Sequence, residues 1–409
     1  MRKVGVFVGA AALIVVAAAA AASVAGAKDS AKAVTTAGPS CSNATIALTG
    51  PYTGPAASAG LDQRNWGRVF ISDWNAGRAI PGVPAGLKRP KLTAVEADTQ
   101  LNPQLAATVA VQLRSNPAIL AVNGFSGSQE NIAGGPILRR GGLAFVSGSA
   151  TRASLTDPTT PDGSVLKSGF FRRVVPTDKA QGATDAAFAL KSMGVSKGDS
   201  VMTVDQAEAY SVPLITLIST LLEKAGVKVD HESQAAAQTD FTALANKAVA
   251  QHAKAVILGS QVAANAQQFY SQLKAAGFTG GFLGTDGTFD DTTFKSPGAY
   301  ISSFSLDIHD VPVAKPFVAQ FEAHYGKTNS FGAPTFVAVQ AIAMGIAYAC
   351  ADGKVSRSEV RVDIGKVKMS NSLLGKPIAF DKFGDVVGGV GFTIFKIGSD
   401  GSYNVVQKG

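Results

Sequence analysis

Charge is scarce in this chain. Asp, Glu, Lys and Arg together make up 16% of its 409 residues, against 46% hydrophobic residues. That balance excludes a disordered polymer, which needs high charge and little apolar surface, and the 44 glycines follow no triplet period, which excludes a collagen-like repeat. Histidine and cysteine are nearly absent. The four histidines (His231, His252, His309, His324) and two cysteines (Cys41, Cys350) are scattered without ligand spacing, so a zinc site is excluded in practice. No cofactor motif is present. The formal charge of +8 is spread thinly, with no run of Lys and Arg and no aromatic residues interleaved with one. Nucleic-acid binding therefore has no support, and the mild positive balance suits attraction to an anionic envelope surface.

Uncharged length is concentrated at the start. Arg2 and Lys3 precede an apolar body from Val4, and Val24-Ala25-Gly26-Ala27 ends it with small residues suited to signal peptidase, so residues 1–27 read as an export signal cleaved near Ala27. The rival is an uncleaved anchor, since the uncharged run is long enough to span a bilayer. Residues 28–42 are small, polar and without period, and read as a flexible tether. A lipid anchor would need a cysteine directly behind the apolar run, and Cys41 lies well beyond it. In an exported chain the only two cysteines are most simply one disulfide, Cys41–Cys350.

From Thr45 onward, short β-branched runs alternate with segments of helical period. Strands are expected over Thr45–Thr49, Leu92–Ala97, Ile119–Val122, Leu143–Ser147, Phe171–Val175, Ser200–Val204, Val227–His231, Ala255–Gly259, Gly281–Gly284 and Ala299–Phe304. Helices are expected between them, over Leu61–Asn75, Pro103–Ser115, Gln129–Arg139, Lys179–Met193, Val212–Lys224, Phe241–His252 and Ala263–Ala276, and Asn102-Pro103 offers an N-cap followed by proline. Such alternation predicts an α/β chain with parallel sheets flanked by helices, and ten strands need two sheets. After Phe304 the pattern turns helical (Pro316–Tyr325, Pro334–Ala351, Ser356–Val367) and ends in strand-like pieces (Ile378–Asp381, Gly391–Ile397, Tyr403–Gln407), as if the chain returns to the first lobe and crosses again.

Ligands of open parallel sheets bind at the carboxyl ends of strands. The loops there are small and polar: Gly50-Pro51-Tyr52-Thr53-Gly54, Gly124-Phe125-Ser126-Gly127-Ser128 and Ser147-Gly148-Ser149-Ala150-Thr151. Exposed N–H groups, hydroxyls and the helix end at Gln129 form a carboxylate cradle, although any one such loop could be only a tight turn. In the other half, Asp286 follows a strand and Tyr210 opens a helix; these suit an amine and an apolar or hydroxyl contact, while each alone could be a turn or packing residue.

With these loops in view, the chain resembles the branched-chain amino-acid-binding (Leu/Ile/Val-binding) proteins, type I periplasmic substrate-binding components of ABC transporters. The resemblance runs from about Ile46 to about Lys396. It rests on IALTGPYTGPAASAG (46–60) with WNAG (74–77), LAFVSGSATRASLTD (143–157), FLGTDGTFDD (282–291), GAPTFVAVQAIAMGIAYA (332–349) and LLGKPIAFDKFGD (373–385). It implies two α/β lobes joined by three crossings, 43–171 with 306–378 and 172–305 with 379–409, closing on a small amino-acid-like ligand. It implies a monomer that serves a membrane permease. Ligand contacts would fall on Ser128, on Ser149, Ala150 and Thr151 for the carboxylate, on Tyr210, and on Asp286 for the amine. Two departures bear on the ligand: Ser211 stands where relatives often carry glycine, and Ala59 stands where leucine-binding relatives carry an aromatic wall. A smaller wall leaves room for a different or bulkier ligand.

An enzyme is disfavoured by what is missing. Gly124-Phe125-Ser126-Gly127-Ser128 fails G-x-S-x-G at its last position, His324-Tyr325-Gly326-Lys327-Thr328 lacks the earlier glycine of a P-loop because Phe321 stands there, and no histidine falls near the cleft loops. A sensor of the same fold, presenting its closed form to a receptor, is the alternative to a transport role.

Overall fold

The alternation of strand and helix closes into two separate sheets in the computed structural model, which describes residues 38–166, 169–304, 307–388 and 391–408. The leader expected over residues 1–27, and the tether as far as residue 37, lie outside the described residues. In chain order the first region runs β1 (Asn43–Gly50), α1 (Ala57–Asn75), β2 (Lys91–Asp98), α2 (Pro103–Ser115), β3 (Ile119–Asn123), α3 (Ser128–Arg140), β4 (Ala144–Ser147), α4 (Pro161–Leu166) and β5 (Phe171–Arg173). Its strands form one parallel sheet in the order β2-β1-β3-β4-β5.

The second region continues with α5 (Asp178–Ser192), β6 (Ser200–Asp205), α6 (Ser211–Lys224), β7 (Lys228–Ser233), α7 (Thr242–Ala250), β8 (Ala255–Leu258), α8 (Ala263–Ala275), β9 (Gly281–Gly284) and β10 (Tyr300–Ser303). The chain then adds α9 (Lys315–Tyr325), α10 (Gly332–Ala349), α11 (Arg357–Ile364) and the short pair β11 (Lys368–Met369) and β12 (Ile378–Ala379) before β13 (Thr393–Ile397) and β14 (Tyr403–Gln407). The second sheet has the order β14-β13-β10-β9-β8-β6-β7, with β13 antiparallel to β10 and to β14.

Each sheet is buried on both faces, and the two-residue period of a strand decides which side chain meets which helix layer. In β1, Ile46 and Leu48 face a core with Trp66, Phe70 and Trp74 of α1 and Phe336 of α10, whereas Ala47 faces the opposite core with Val109 of α2 and Leu138 of α3. In the second sheet, Met202 and Val204 pack towards Phe241 and Phe269, and Val201 and Ile257 towards Leu214 and Ile218 of α6. α10 has the length and composition of a membrane-spanning helix, yet it is the most enclosed helix of the first region, because it fills the groove between α1, α11 and the sheet. Local signals operate as their residues suggest. The side chain of Asn102 accepts from the N–H groups of Gln104 and Leu105 at 2.9 and 3.0 Å, with Pro103 at the first helical position.

The structure departs from the sequence reading at a few places. α7 ends at Ala250 rather than His252, because His252 adopts a left-handed backbone (φ 51°) that turns the chain into β8. The division placed between residues 171 and 172 falls inside β5, all three residues of which pair with β4. Along β5 runs the returning chain: the N–H of Arg173 donates to the Gly384 carbonyl at 3.0 Å. A Cβ at Gly384, whose φ is +104°, would sit 2.3 Å from the Phe171 carbonyl oxygen, so only glycine allows this approach. α4 and β11, which carry little periodic signal, were not expected from the sequence.

Cys41, just before β1, is bonded to Cys350, just after α10, with a Cα–Cα distance of 5.6 Å and a sequence separation of 309. Cross-linking so long a loop restricts the unfolded chain, for a typical stabilisation of about 2–4 kcal/mol. Intact-mass measurement should show no alkylation until reductant is added, and Cys41→Ser with Cys350→Ser should melt several degrees lower than wild type with the same secondary-structure content. Free alkylation of both thiols in the untreated protein would contradict the bond.

Candidate functional site

Three loops at the carboxyl ends of β1, β3 and β4 form one wall. The β3 loop is held by its own helix: Asn131 of α3 donates to the carbonyls of Phe125 and Gly127 at 3.0 and 2.9 Å, and Ser147 donates to the Phe125 carbonyl at 2.8 Å. Gly124 is required here, because a Cβ would lie 2.1 Å from the Thr49 hydroxyl. Ser128 opens α3, where first-turn N–H groups concentrate positive potential. Beside it the Glu130 side chain accepts from the Gly127 N–H at 2.6 Å, and burial pushes its carboxyl up to about 7.

The β4 loop is organised from behind by Arg173. This fully buried guanidinium donates to the carbonyls of Ala150 and Arg152 at 3.0 and 2.7 Å, to the Thr156 hydroxyl at 2.6 Å, and to the Asp385 carboxylate at 2.6 Å. In front of it, Gln63 of α1 donates to the Ser149 hydroxyl at 2.9 Å and accepts from the Ser126 hydroxyl at 2.8 Å.

The opposing wall comes from the ends of β6, β8 and β9. The Glu208 carboxylate accepts from the N–H groups of Tyr210 and Ser211 at 2.7 and 3.0 Å, at the start of α6. The Tyr210 hydroxyl donates in a short hydrogen bond to Asp286, which opens a 3-10 turn directly after β9. The walls touch: Gln261 donates to Gln129 of α3 at 3.0 Å and to Glu208 at 2.8 Å, and Arg152 donates to the Ala209 carbonyl.

Between the walls lies a small cavity that opens to solvent. Pro51, Ala56, Ala59, Leu101 and Phe331 give it apolar surface, and Ser126, Ser128, Ser149, Tyr210, Gln261 and Asp286 give it polar surface. No Lys, Arg or His is among its lining residues. Behind Asp286, on α5, stand Asp178 and Asp185, both buried; Ser302 donates to Asp185 at 3.1 Å and receives the Gln181 amide at 2.9 Å. Burial is the first cause of the shifts throughout this group. It pushes the Asp286 carboxyl up to about 6, partly offset by the Tyr210 hydrogen bond, and Asp178 up to about 7, with repulsion from Asp286 adding to the effect. Asp185 is held well above the carboxylate range, Glu208 is raised, and the Tyr210 phenol is raised by burial and by the adjacent Asp286. The cavity therefore presents one wall of hydroxyls and helix N–H groups and, opposite, a carboxyl in an acid-rich surrounding.

Of the residues singled out from the sequence, Ser128, Ser149, Tyr210 and Asp286 line this cavity together. Ala150 and Thr151 do not: both are buried behind the wall, Ala150 among Phe125, Leu155 and neighbouring apolar residues, and Thr151 with its carbonyl accepting from the Asp178 N–H at 2.9 Å. Ala59 does face the cavity, as its place in the resemblance implied. The sequence reading missed Gln63, Gln261, Glu208 and the α5 carboxylates. Gln63 had a usable signal, since it falls on the buried side of α1 with Trp66 and Phe70, where a solvated glutamine is out of place.

Comparison with known proteins sets this geometry among relatives. The chain is 24% identical over 371 residues to the leucine-specific-binding protein of Salmonella typhimurium, covering 88% of this chain and 93% of the relative. Among solved structures it is similar to the branched-chain amino acid transporter substrate-binding protein LivJ of Streptococcus pneumoniae in complex with isoleucine, with TM-score 0.74, 20% identity, and coverage of 89% of this chain and 99% of the other. It is also similar to a fatty acid ABC transporter substrate-binding protein of Thermomonospora curvata, with TM-score 0.76, 16% identity, and coverage of 91% and 93%. At these identities the structures share the fold alone; one is solved in complex with isoleucine and the other is named for fatty acid. The family model for periplasmic binding proteins matches residues 43–402, nearly the whole described chain, and the protein belongs to the periplasmic binding protein family.

Proposed function

We propose that this chain is the exported substrate-binding component of an ABC transporter, which captures an amino acid or a closely similar zwitterion between its two lobes and delivers it to a membrane permease. One observation carries the reading: a buried carboxyl, Asp286, faces a wall of serine hydroxyls and the start of α3 across a cavity with no basic lining residue. An ammonium beside Asp286 and Tyr210 and a carboxylate beside Ser128 at the start of α3 would each meet complementary charge or donors. Because the half-sites belong to different sheets, a ligand that bridges them favours the closed arrangement by its differential affinity for it. Closure about three crossings is supported by Val175, Phe304 and Phe392 in the segments between the sheets, which form a small apolar cluster with Phe331 at the start of α10. Export with cleavage near Ala27, action as a monomer and independence of nucleic acid complete the reading. No side-chain arrangement in the cavity calls for catalysis.

Asp286→Ala should weaken binding of the preferred amino acid by about 2–5 kcal/mol, because the ligand ammonium loses its desolvated partner. The fold should be retained, since Asp286 supports no apolar core. Calorimetry over an amino-acid panel, run beside thermal melts, measures both, and equal affinity in the two proteins would remove Asp286 from the site.

The raised carboxyls set the sign of the pH dependence. Asp286 and Asp178 take up protons in the folded state at about 6 and 7, well above the ordinary aspartate value, so the folded protein binds more protons than the unfolded chain across mildly acidic pH. Their stabilising effect is fully present below the unfolded aspartate value and is lost as pH rises through 6 to 7. The ligand-free melting temperature should therefore rise by several degrees from pH 8 to pH 5, and by less in Asp286→Asn. Amino-acid affinity should move the other way and fall towards pH 5, since a protonated Asp286 offers no charge to an ammonium. Affinity that holds constant from pH 8 to pH 5 would contradict this assignment.

A further inference from the structure

The lobe wall that carries Ser128 has a second polar feature, which the ammonium and carboxylate half-sites leave unused. Gln63, Ser126 and Ser149 form a small hydrogen-bonded ring. The Ser126 hydroxyl donates to the Gln63 carbonyl at 2.8 Å, the Gln63 amide donates to the Ser149 hydroxyl at 2.9 Å, and the Ser149 hydroxyl donates to the Ser126 main-chain carbonyl at 2.9 Å, with the two hydroxyls 3.2 Å apart. Two of its three members line the cavity. Gln63 lies one helical turn beyond Ala59 on the same face of α1, and Ala59 presents only a methyl to the cavity. A larger residue at 59 would stand between the ring and a ligand.

The valences of the ring are unevenly used. Both hydroxyl protons and one amide proton are committed inside it, which leaves hydroxyl lone pairs and the second amide N–H of Gln63. We infer that Gln63, Ser126 and Ser149 form a side-chain subsite that selects a ligand bearing a hydroxyl or carboxamide over its aliphatic isostere. Ser126 and Ser149 touch that group, and Gln63 positions their hydroxyls. An aliphatic side chain in the same place covers the remaining lone pairs without replacing the water they lose, whereas a hydroxyl or amide N–H satisfies them. The recessed Ala59 wall and this ring act together: the small residue gives access and the ring gives the preference.

This inference rests on the amino-acid reading above, and the test separates the two. Calorimetry on the mature, disulfide-bonded protein uses matched pairs of closely similar shape: threonine against valine, asparagine against leucine, glutamine against methionine. In wild type the polar member of the best-bound pair should bind about 10–100-fold more tightly, the range for leaving a buried polar group unpaired against satisfying it. Gln63→Leu and Ser149→Ala should bring that ratio close to one while the Asp286-dependent part of binding persists. Ser126→Ala, a change of one oxygen in a loop, reports the same ratio should Gln63→Leu fold poorly. Valine, leucine or methionine binding as tightly as its polar partner overturns the subsite and leaves the amino-acid reading intact. So does a polar preference that survives unchanged in all three variants. Failure of every amino acid in the panel to bind overturns the amino-acid reading and the subsite with it.

Discussion

A fully buried guanidinium holds the two ends of this chain's logic together. Arg173 closes β5, the last strand of the first sheet, and spends its donors on the Ala150 and Arg152 carbonyls of the β4 loop, on Thr156, and on Asp385 in the returning segment. An arginine cannot shed its charge, so burying one requires a carboxylate and a full set of acceptors. That requirement fixes the loop whose serine faces the ligand cavity, and it fixes the path of the chain between α11 and β13.

The opposite wall is built on the reverse electrostatic problem. Asp286, Asp178 and Asp185 are buried near one another with few cations at hand, and each is pushed towards its neutral form by desolvation. Such a group is unfavourable without a cationic partner, and under the proposed function a ligand ammonium would supply one. On that reading the cost of keeping carboxyls there would be recovered only in the liganded form, which would separate the two states. Tyr210 limits the cost by donating to Asp286.

Similar folds carry isoleucine in one solved structure and fatty acid in the name of another, so the scaffold alone does not choose the solute. What lines or backs the cavity here is a recessed alanine of α1, two serines bonded to a glutamine of the same helix, and, opposite, a carboxyl in an acidic surrounding. Each is a substitution the sheets would tolerate, because none of them contributes to the apolar cores on either side.

Strand and helix positions were legible in the sequence to within a few residues, because period-two runs of buried residues and capped helices are local properties: Gly281–Gly284 and Pro103–Ser115 stand where the pattern put them. The Cys41–Cys350 bond followed from there being two cysteines in an exported chain. The loops Gly124–Ser128 and Ser147–Thr151, and Asp286 with Tyr210, were legible as candidates because parallel sheets present their ligand groups at strand ends. The meeting of Gln63 with Ser126 and Ser149 was not, since it joins residues 63 and 86 positions apart in sequence through the packing of α1 on the sheet. Nor was the gathering of Asp178 and Asp185 behind Asp286, which depends on how α5 leaves β5 for the second sheet. Thr151 was legible as a loop residue, and only packing put its side chain behind the wall. Sequence by itself determined the elements and the kind of chemistry at their ends; tertiary structure decided which of those ends face one another, because distance between side chains is set by packing and not by order along the chain.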